Sequence, residues 1–281
     1  MGNTIKSTLT AAKQLLTPAT NTPDLDAELL LAHVLQSPRA SLYTWPEKEL
    51  SPTQLQQYES YLTRRQNGEP IAYITGIKEF WSLELQVTTD TLIPRPETEL
   101  LVETVLQHFT NQEKITLADL GTGSGAVALA IAHERPHWIL HATDKSEQAL
   151  AIAKQNATRL QLGNVHFHLG SWCAALPENK FDAIVSNPPY ISVQEWNQYE
   201  ADLQHEPIFA LLAEKNGLAD IEEIVMTAKA CLKPGGYLFL EHGFTQGAAV
   251  RQLFVSSGYS QIETVRDLAN KERVTLGKLT V

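Results

Sequence analysis

Apolar positions in the first quarter of the chain recur at helical spacing, so residues 4–66 are predicted to form helices. The first helix carries four such positions: Leu9, Ala12, Leu15 and Leu16. Asp24 is expected to cap the second helix, and Ser51-Pro52 is expected to begin the third, with proline at its first position. Asn67-Gly68 is expected to end that helix. We therefore expect a small helical module, which carries no catalytic pattern of its own.

The pattern changes over residues 70–92, where β-branched and aromatic residues partly alternate with polar ones. Such a run predicts a β-hairpin. Pro94 and Pro96 interrupt it, and a helix is expected from about Glu97 to Phe109. We therefore expect the hairpin to link two domains.

From residue 115 onward, predicted strands alternate with predicted helices. The strands are expected at 115–120, 138–143, 165–169, 181–186, 236–241, 261–266 and 273–279. Helices near 124–133, 146–161, 217–232 and 245–257 lie between the first six strands. This alternation predicts a seven-stranded, mostly parallel Rossmann-like sheet of the class I methyltransferase type, with the last two strands antiparallel at its edge. Three regions are expected: a helical domain (1–69), a hairpin linker (70–92) and a catalytic domain (93–281).

A glycine-rich loop, Gly121-Thr122-Gly123-Ser124-Gly125, follows the strand that contains Asp119. Glycines let a ligand approach the backbone, and the start of the next helix offers unpaired N–H groups. The spacing is G-x-G-x-G rather than the dinucleotide G-x-G-x-x-G, and an acid at position 119 can engage the amino-acid end of S-adenosyl-L-methionine. Asp144 ends the next strand, where an acid can accept hydrogen bonds from both ribose hydroxyls. These residues predict an S-adenosyl-L-methionine site, with S-adenosyl-L-homocysteine as product.

A second motif, Asn187-Pro188-Pro189-Tyr190, ends another apolar strand and is expected to face the same crevice. A planar NH₂ group is a poor nucleophile, because its lone pair is delocalised. The side-chain oxygen of Asn187 and the carbonyl of Pro188 can each accept one N–H, which orients the nitrogen and stabilises its developing positive charge. Tyr190 can lie flat against the planar group, and no strong general base is required. The four residues are therefore predicted to bind substrate, with Asn187 and Pro188 catalytic, although the motif does not separate glutamine from adenine or cytosine.

With these motifs, the sequence resembles the bacterial peptide chain release factor N5-glutamine methyltransferases over nearly its whole length. The resemblance lies in EPIAYITGIKEFWSLEL (69–85), LIPRPETE (92–99), DLGTGSGAVALA (119–130), VSNPPYI (185–191), GGYLFLEHG (235–243) and NKERVTLG (270–277). It implies methylation, by S-adenosyl-L-methionine, of the side-chain N5 of the glutamine in the Gly-Gly-Gln motif of release factors. It also implies that the loop Gly121 to Gly125, Asp144, Trp172 and Asn187 contact the cofactor, and that Asn187 to Tyr190 bind the glutamine.

Several positions keep two interpretations. Trp172 either stacks on the adenine or packs beneath a loop. Many family members carry an acid where this chain has Ser171, which puts an acidic contact to the adenine in doubt. Phe80 and Arg95 lie in segments typical of the family; Phe80 either borders the site or belongs to the core, and Arg95 either borders the site or forms a structural ion pair.

Two polar segments are expected to have no catalytic role. The acids between Glu195 and Glu206 are expected to form a solvated loop flank near the substrate entrance. Glu241-His242 is expected to contribute packing or a structural hydrogen bond, because no nucleophile lies in register with it.

The charge balance bears on the competing functions. The formal net charge is −10, and neither part of the chain is basic. An N6-adenine nucleic-acid methyltransferase shares the Asn-Pro-Pro-Tyr motif but must hold a phosphate backbone, so it is disfavoured and no stable nucleic-acid binding is expected. A nicotinamide oxidoreductase would need another glycine spacing, and a non-catalytic cofactor-binding module would leave the tetrapeptide without a role.

The remaining composition indicates a cytoplasmic protein. Two cysteines are too few for a disulfide framework, and the nine histidines lack metal-ligand spacing, so no metal is expected. No apolar run is long enough for a signal peptide or a membrane span, so no membrane association is expected. We expect a monomer whose N-terminal helical domain docks the release factor.

Overall fold

The computed structural model describes residues 3–178 and 180–280, with the side chains of residues 198–202 left out of the description. The chain divides into two compact units, Met1–Ile77 and Lys78–Val281. Within the described residues, no helix is both long and apolar enough to cross a membrane.

The first unit is helical, as the spacing of its apolar residues predicts. Its helices are α1 (Ile5–Leu16), α2 (Pro23–Val34), α3 (Ala40–Thr44), α4 (Pro52–Gln66) and α5 (Ile71–Thr75). Ser51 begins α4 with a capping box, in which its side chain accepts from the Gln54 backbone and the Gln54 side chain accepts in return. Asn67 ends α4, and Gly68 follows in the left-handed region, so both predicted boundaries of this helix are confirmed.

The prediction that Asp24 caps α2 is wrong. Thr22 stands at the N-cap position and Pro23 takes the first helical position, because its fixed φ suits the start of a helix. Asp24 therefore lies inside the first turn, where its carboxylate forms an ion pair with Lys13 at 2.7 Å.

Apolar side chains from all the longer helices pack together to form the core of the helical unit. The larger members are Ile5, Leu16, Leu30, Leu31, Leu42, Tyr58, Leu62 and Ile74. Tyr58 is fully buried, and its hydroxyl donates to the Ala27 carbonyl over 2.9 Å, which satisfies the one polar group that it brings into the core.

The prediction that residues 70–92 form only a hairpin is wrong in its first part. Residues 71–75 form α5, because Pro70 can precede a helix and Gly76, at φ 74°, can end one. Two short strands follow, β1 (Ile77–Phe80) and β2 (Leu83–Gln86), and they pair with each other. The β-branched residues of the IAYIT segment thus follow the packing of the helical core rather than their strand propensity.

The second unit alternates strands and helices. Its remaining strands are β3 (Thr116–Leu120), β4 (Ile139–Asp144), β5 (Val165–Leu169), β6 (Phe181–Ser186), β7 (Leu232–Glu241), β8 (Tyr259–Arg266) and β9 (Glu272–Leu279). Its helices are α6 (Glu99–His108), α7 (Ala126–Glu134), α8 (Glu147–Arg159), α9 (Val193–Leu203), α10 (Glu214–Gly217), α11 (Ala219–Cys231) and α12 (Gly247–Ser256). Short 3₁₀ turns lie at Pro96–Thr98, Trp172–Ala175 and Ile208–Ala210.

The predicted sheet is confirmed. Seven strands lie in the order β5-β4-β3-β6-β7-β9-β8. The first five of these are parallel, whereas β9 runs antiparallel to both β7 and β8. Neighbouring residues of β3 enter different cores, with Leu117 on one side and Ala118 on the other, so apolar layers cover both faces of the sheet.

Candidate active site

Residues that follow the carboxyl ends of β3, β4, β5 and β6 line one cleft of about 610 Å³. This is the edge at which parallel sheets bind ligands. The cleft is lined by Asp90, Thr91, Leu92, Gly121, Gly123, Asp144, Lys145, Ala149, Gly170, Ser171, Trp172, Asn187, Pro189, Phe209 and Ala210. The structure therefore brings together both sequence motifs that predict chemistry.

The glycine loop is closely packed at its first and last glycines, Gly121 and Gly125. Gly121 has φ 73°, and a Cβ atom there would lie 2.9 Å from the Trp172 ring. The loop is also held from beneath, because the fully buried Asn156 side chain donates to the carbonyls of Ser124 and Gln86, both over 2.9 Å. The loop conformation is thus fixed by α8 and β2 as well as by its own glycines.

The Asp119 carboxyl braces the loop from inside the protein. Its Oδ2 accepts from the Thr122 hydroxyl over 2.6 Å and from the Ala128 backbone N–H over 3.3 Å. Burial raises the pKa of Asp119 to about 7, against these two hydrogen bonds that lower it. The loop and the start of α7 are therefore tied to one buried carboxyl.

Asp144 ends β4 with its carboxylate held at both oxygens by backbone groups. Oδ2 accepts from the Gly123 N–H and Oδ1 from the Ser146 N–H, each over 2.9 Å. A carboxylate oxygen has two lone pairs, so each oxygen can still accept a hydrogen bond from a ligand in the cleft. The sequence position of Asp144 thus corresponds to an acceptor that is fixed in place at the cleft wall.

Trp172 and Phe209 supply aromatic surface to the cleft. The Trp172 ring lies against the Gly121 backbone and also packs on the apolar cluster beneath the sheet. Ser171 lines the cleft beside it. Phe209, which the sequence analysis did not identify, is partly exposed and has the Lys145 ammonium 5.6 Å from its ring centroid.

The Asn-Pro-Pro-Tyr segment lies between this cleft and a second cavity of about 450 Å³, which Pro188 and Tyr190 help to line. Asn187 borders both cavities, and its Nδ2 donates to the Thr98 hydroxyl over 3.1 Å. The segment is anchored at its far end, because Gln246 Nε2 donates to the Tyr190 carbonyl over 3.0 Å. That carbonyl also lies so close to Gly217 that any Cβ there would clash with it.

The prediction that the acids between Glu195 and Glu206 form a solvated loop flank is wrong for the loop and for Glu206, and the side chains of Glu200 and Asp202 lie outside the described residues. Residues 193–203 form the helix α9, and Glu206, which follows this helix in the chain, is buried. Glu206 forms an ion pair with Arg95 and accepts from the Ile93 backbone N–H over 3.1 Å. A buried carboxylate needs such partners, and Arg95 supplies the charge while also bordering the second cavity.

The open interpretations of Phe80 and Glu241-His242 are also answered. Phe80 is buried in the core of the second unit. His242 bonds through its two ring nitrogens to the Gly243 carbonyl and the Thr275 hydroxyl, so the expected structural hydrogen bond is confirmed. Glu241 is buried behind Tyr190, whose hydroxyl lies 3.4 Å from its Oε1.

Comparison with known proteins agrees with this geometry. Two family models match, the PrmC N-terminal domain over residues 7–76 and the methyltransferase small domain over residues 96–205. A solved methyltransferase from Pyrococcus furiosus is similar in fold, with a TM-score of 0.55 and 18% identity over 79% of this chain and 100% of that one.

Curated relatives extend the similarity over nearly the full length. The release factor glutamine methyltransferase of Coxiella burnetii is 50% identical, over 98% of this chain and 98% of its own. That of Escherichia coli strain K12 is 46% identical, over 92% of this chain and 94% of its own. With the methyltransferase sheet, the glycine loop and the Asn-Pro-Pro-Tyr segment at one edge, this degree of identity shows that the chain belongs to the release factor glutamine methyltransferase family.

Proposed function

We propose that the protein transfers a methyl group from S-adenosyl-L-methionine to the side-chain N5 of the glutamine in the Gly-Gly-Gln motif of peptide chain release factors. The observation that carries the proposal is the placement of Asn187. Its side-chain nitrogen donates to the Thr98 hydroxyl. Its side-chain oxygen can therefore accept a hydrogen bond from a substrate in one of the two cavities that Asn187 borders.

The cleft fits the proposed cofactor. The Gly121 backbone and the Trp172 ring lie close together in the cleft wall, and Asp144 lines the same cleft as a fixed double acceptor for ribose hydroxyls. The residues proposed as cofactor contacts are Gly121, Thr122, Gly123, Ser124, Gly125, Asp144, Trp172 and Asn187. When bound, S-adenosyl-L-methionine supplies an electrophilic methyl carbon.

The chain's own groups position the nucleophile. Asn187 Oδ1 and the Pro188 carbonyl each accept one N–H of the planar amide, so the nitrogen is oriented and its growing positive charge is stabilised. Pro188 has no N–H, and the following proline restricts the direction of its carbonyl. Tyr190 and Pro189 flank the planar group. The amide then loses one proton to water, and no residue must act as a strong base.

The direct test is to incubate the protein with S-adenosyl-L-methionine and release factor, then to measure the mass of the Gly-Gly-Gln peptide after digestion. We expect the mass to increase by one methyl group at the glutamine. A release factor with glutamine replaced by alanine serves as the control, and an adenine-containing DNA duplex tests the nucleic-acid alternative, which the net charge of −10 disfavours. Methyl transfer to the DNA but not to the release factor would overturn the proposal.

We expect Asp144→Ala to weaken binding of S-adenosyl-L-methionine by about 10-fold to 150-fold. Hydrogen bonds to a charged group contribute about 1.5–3 kcal/mol, and those to the ribose persist throughout the reaction. Calorimetric titration should therefore show a higher Kd for the cofactor, while kcat at saturating cofactor changes much less.

Asp182→Ala is the matched control for this substitution. Asp182 also holds a backbone N–H, that of Thr116, and an ion pair with Lys233, but at the opposite end of the strands. Its loss should lower the melting temperature without changing cofactor affinity. Equal cofactor affinity in Asp144→Ala and wild type would contradict the assignment of Asp144.

We further propose that the helical unit binds the body of the release factor. A glutamine side chain offers few atoms, so affinity for a whole protein must come from other contacts. Tyr43 and Trp45 support this role, because these aromatic side chains of the first unit are 66% and 64% exposed. We expect the enzyme to act as a monomer on this partner and to bind no nucleic acid stably.

A further inference from the structure

Phe209 is an aromatic residue of the first cleft to which the proposed function assigns no role. Its side chain lines this cleft and is 46% exposed. The second cavity, next to the Asn-Pro-Pro-Tyr segment, is lined by the following residues Ala210 and Leu211 but not by Phe209. The ring therefore lies on the side of the site proposed for the cofactor rather than on the side proposed for the glutamine.

The chain around Phe209 is anchored on both sides. Before it, the buried Glu206 forms an ion pair with Arg95. After it, the Ile191 backbone N–H donates to the Leu211 carbonyl over 2.9 Å, and Ile191 directly follows the Asn-Pro-Pro-Tyr segment. The 3₁₀ turn that carries Phe209 is thus fixed before a ligand binds, so little freedom is lost when a ligand covers the ring.

Lys145 connects this ring to the end of β4. Its ammonium lies 5.6 Å from the centroid of the Phe209 ring, within the range of a cation–π contact. Lys145 directly follows Asp144, the proposed acceptor for the ribose hydroxyls, and lines the same cleft. The aromatic ring is therefore held beside the place proposed for the ribose.

The lining of a neighbouring cavity indicates which end of the cofactor comes to this ring. A third cavity is lined by Asp119, by the glycine-loop residues 121–124 and by the first residues of α7. The N–H groups at the start of a helix suit the amino-acid end of the cofactor, which carries a carboxylate. Lys145 and Phe209 line the first cleft but not this third cavity. With the ribose at Asp144 between the two, the adenine comes to lie on the side of Lys145 and Phe209.

We infer that Phe209 is a cofactor-binding residue whose ring packs on the adenine base of S-adenosyl-L-methionine, and that Lys145 positions this ring. The inference rests on the proposed function, because it takes the ribose to be bound by Asp144. An aromatic ring and a base both offer flat faces, and stacking between them contributes affinity without requiring a polar group on either partner. The cleft thus holds the base by apolar contact as well as by any hydrogen bond to it.

The test measures binding by calorimetric titration, without release factor, for ligands that differ in the base. S-adenosyl-L-homocysteine carries the base, the ribose and the amino-acid end, whereas S-ribosyl-L-homocysteine lacks the base. Phe209→Ala should raise the Kd for S-adenosyl-L-homocysteine by about 5-fold to 150-fold, the range for loss of one base–aromatic stack, and should leave the Kd for S-ribosyl-L-homocysteine unchanged. Asp144→Ala should raise the Kd for both ligands, because both contain the ribose.

Ile208→Ala is the matched control. Ile208 belongs to the same 3₁₀ turn and is 55% exposed, but it does not line the cleft, so its loss should change neither Kd. Phe209→Tyr keeps the flat ring and should bind S-adenosyl-L-homocysteine within about twofold of the wild type. Phe209→Leu keeps an apolar side chain without a flat face, so its Kd should stay raised. All these changes are at half-exposed side chains, so the melting temperature should change little.

A double-mutant cycle tests the role of Lys145. Lys145→Met removes the charge and keeps the apolar stem, and it should raise the Kd for S-adenosyl-L-homocysteine by about 2-fold to 5-fold, as expected for an exposed cation–π contact. If Lys145 acts through the ring, the same change should have no effect in Phe209→Ala. Additive effects of the two substitutions would show that Lys145 contacts the cofactor itself, and its positioning role would have to be dropped.

Three results would overturn the inference about Phe209. They are an unchanged Kd for S-adenosyl-L-homocysteine in Phe209→Ala, an equal loss for the ligand without the base, or full affinity in Phe209→Leu. A Phe209→Ala variant that keeps its cofactor affinity but shows a higher KM for release factor would place the ring in the protein-substrate site instead. Failure of the proposed function is distinguishable, because a wild type that binds S-adenosyl-L-homocysteine but methylates no release factor refutes the proposed substrate and leaves the adenine contact supported.

Discussion

Asn187→Ala is expected to lower kcat by about 10²-fold to 10³-fold while the protein remains folded. The side-chain oxygen of Asn187 is a preorganised acceptor for the substrate N–H, and removal of one such group typically costs about 2.7–4 kcal/mol of transition-state stabilisation. The measurement is single-turnover methylation of release factor at saturating cofactor. Because Asn187 is only half-buried and its nitrogen bonds a single neighbour, Thr98, the fold should tolerate the change.

The matched control for this prediction is Asn164→Ala. Asn164 also uses its side-chain nitrogen, but to hold the carbonyls of Ala132, Arg135 and Trp138 over 3.2–3.5 Å. We expect this variant to melt at a lower temperature and to keep its kcat. Turnover by Asn187→Ala at more than about a tenth of the wild-type rate would be incompatible with a loss of this size, and the proposed role would have to be abandoned.

Most of the sheet could be predicted from the sequence because its central strands β3, β4 and β6 are mostly buried and rich in apolar residues. Each predicted strand is present, including the final antiparallel pair. The errors lie where local propensity competes with tertiary packing. The IAYIT segment is rich in strand-forming residues, yet Ile74 packs into the helical core, and a helix forms instead. Glu206 is polar by sequence, and its burial depends on Arg95, which lies 111 positions earlier in the chain.

The candidate site could be predicted as far as its local motifs reach. The glycine loop, Asp144 and the Asn-Pro-Pro-Tyr segment carry recognisable spacing, and all of them line adjoining cavities. Thr98 could not be assigned a role in the same way. It lies in the LIPRPETE segment, which is typical of the family, but its contact with Asn187 spans 89 positions. Phe209 has no motif around it and is recognised only because the chain after α9 returns to the cleft.

Removal of the helical unit is expected to raise the KM for intact release factor by about 100-fold or more, while binding of S-adenosyl-L-methionine is largely kept. All the proposed cofactor contacts lie in the second unit, which has its own apolar core on both faces of the sheet. The cut is best placed after Ile77, because a shorter deletion would leave Ile74 without the helical core that it packs into.

A short Gly-Gly-Gln peptide distinguishes docking from a purely structural role. The peptide offers only the contacts around the glutamine, so its KM should change little on truncation, whereas the KM for intact release factor should rise strongly. The ratio of the two KM values is therefore the quantity to measure. If truncation raised both KM values equally, or if the shortened protein aggregated, docking by the helical unit would lose its support.

A point variant tests the same proposal in the full-length chain. Trp45→Ala removes an aromatic side chain that is 64% exposed, so it should leave the melting temperature nearly unchanged. If Trp45 anchors the release factor, its loss should raise the KM for intact release factor by about 30-fold, as expected for an interface residue worth about 2 kcal/mol, and should not affect the peptide. Met226→Ala, at a similarly exposed apolar side chain on α11, provides the control and should change neither KM. An equal response of the two variants would show that Trp45 has no specific part in docking, and the contact would then have to be sought on another face of the helical unit.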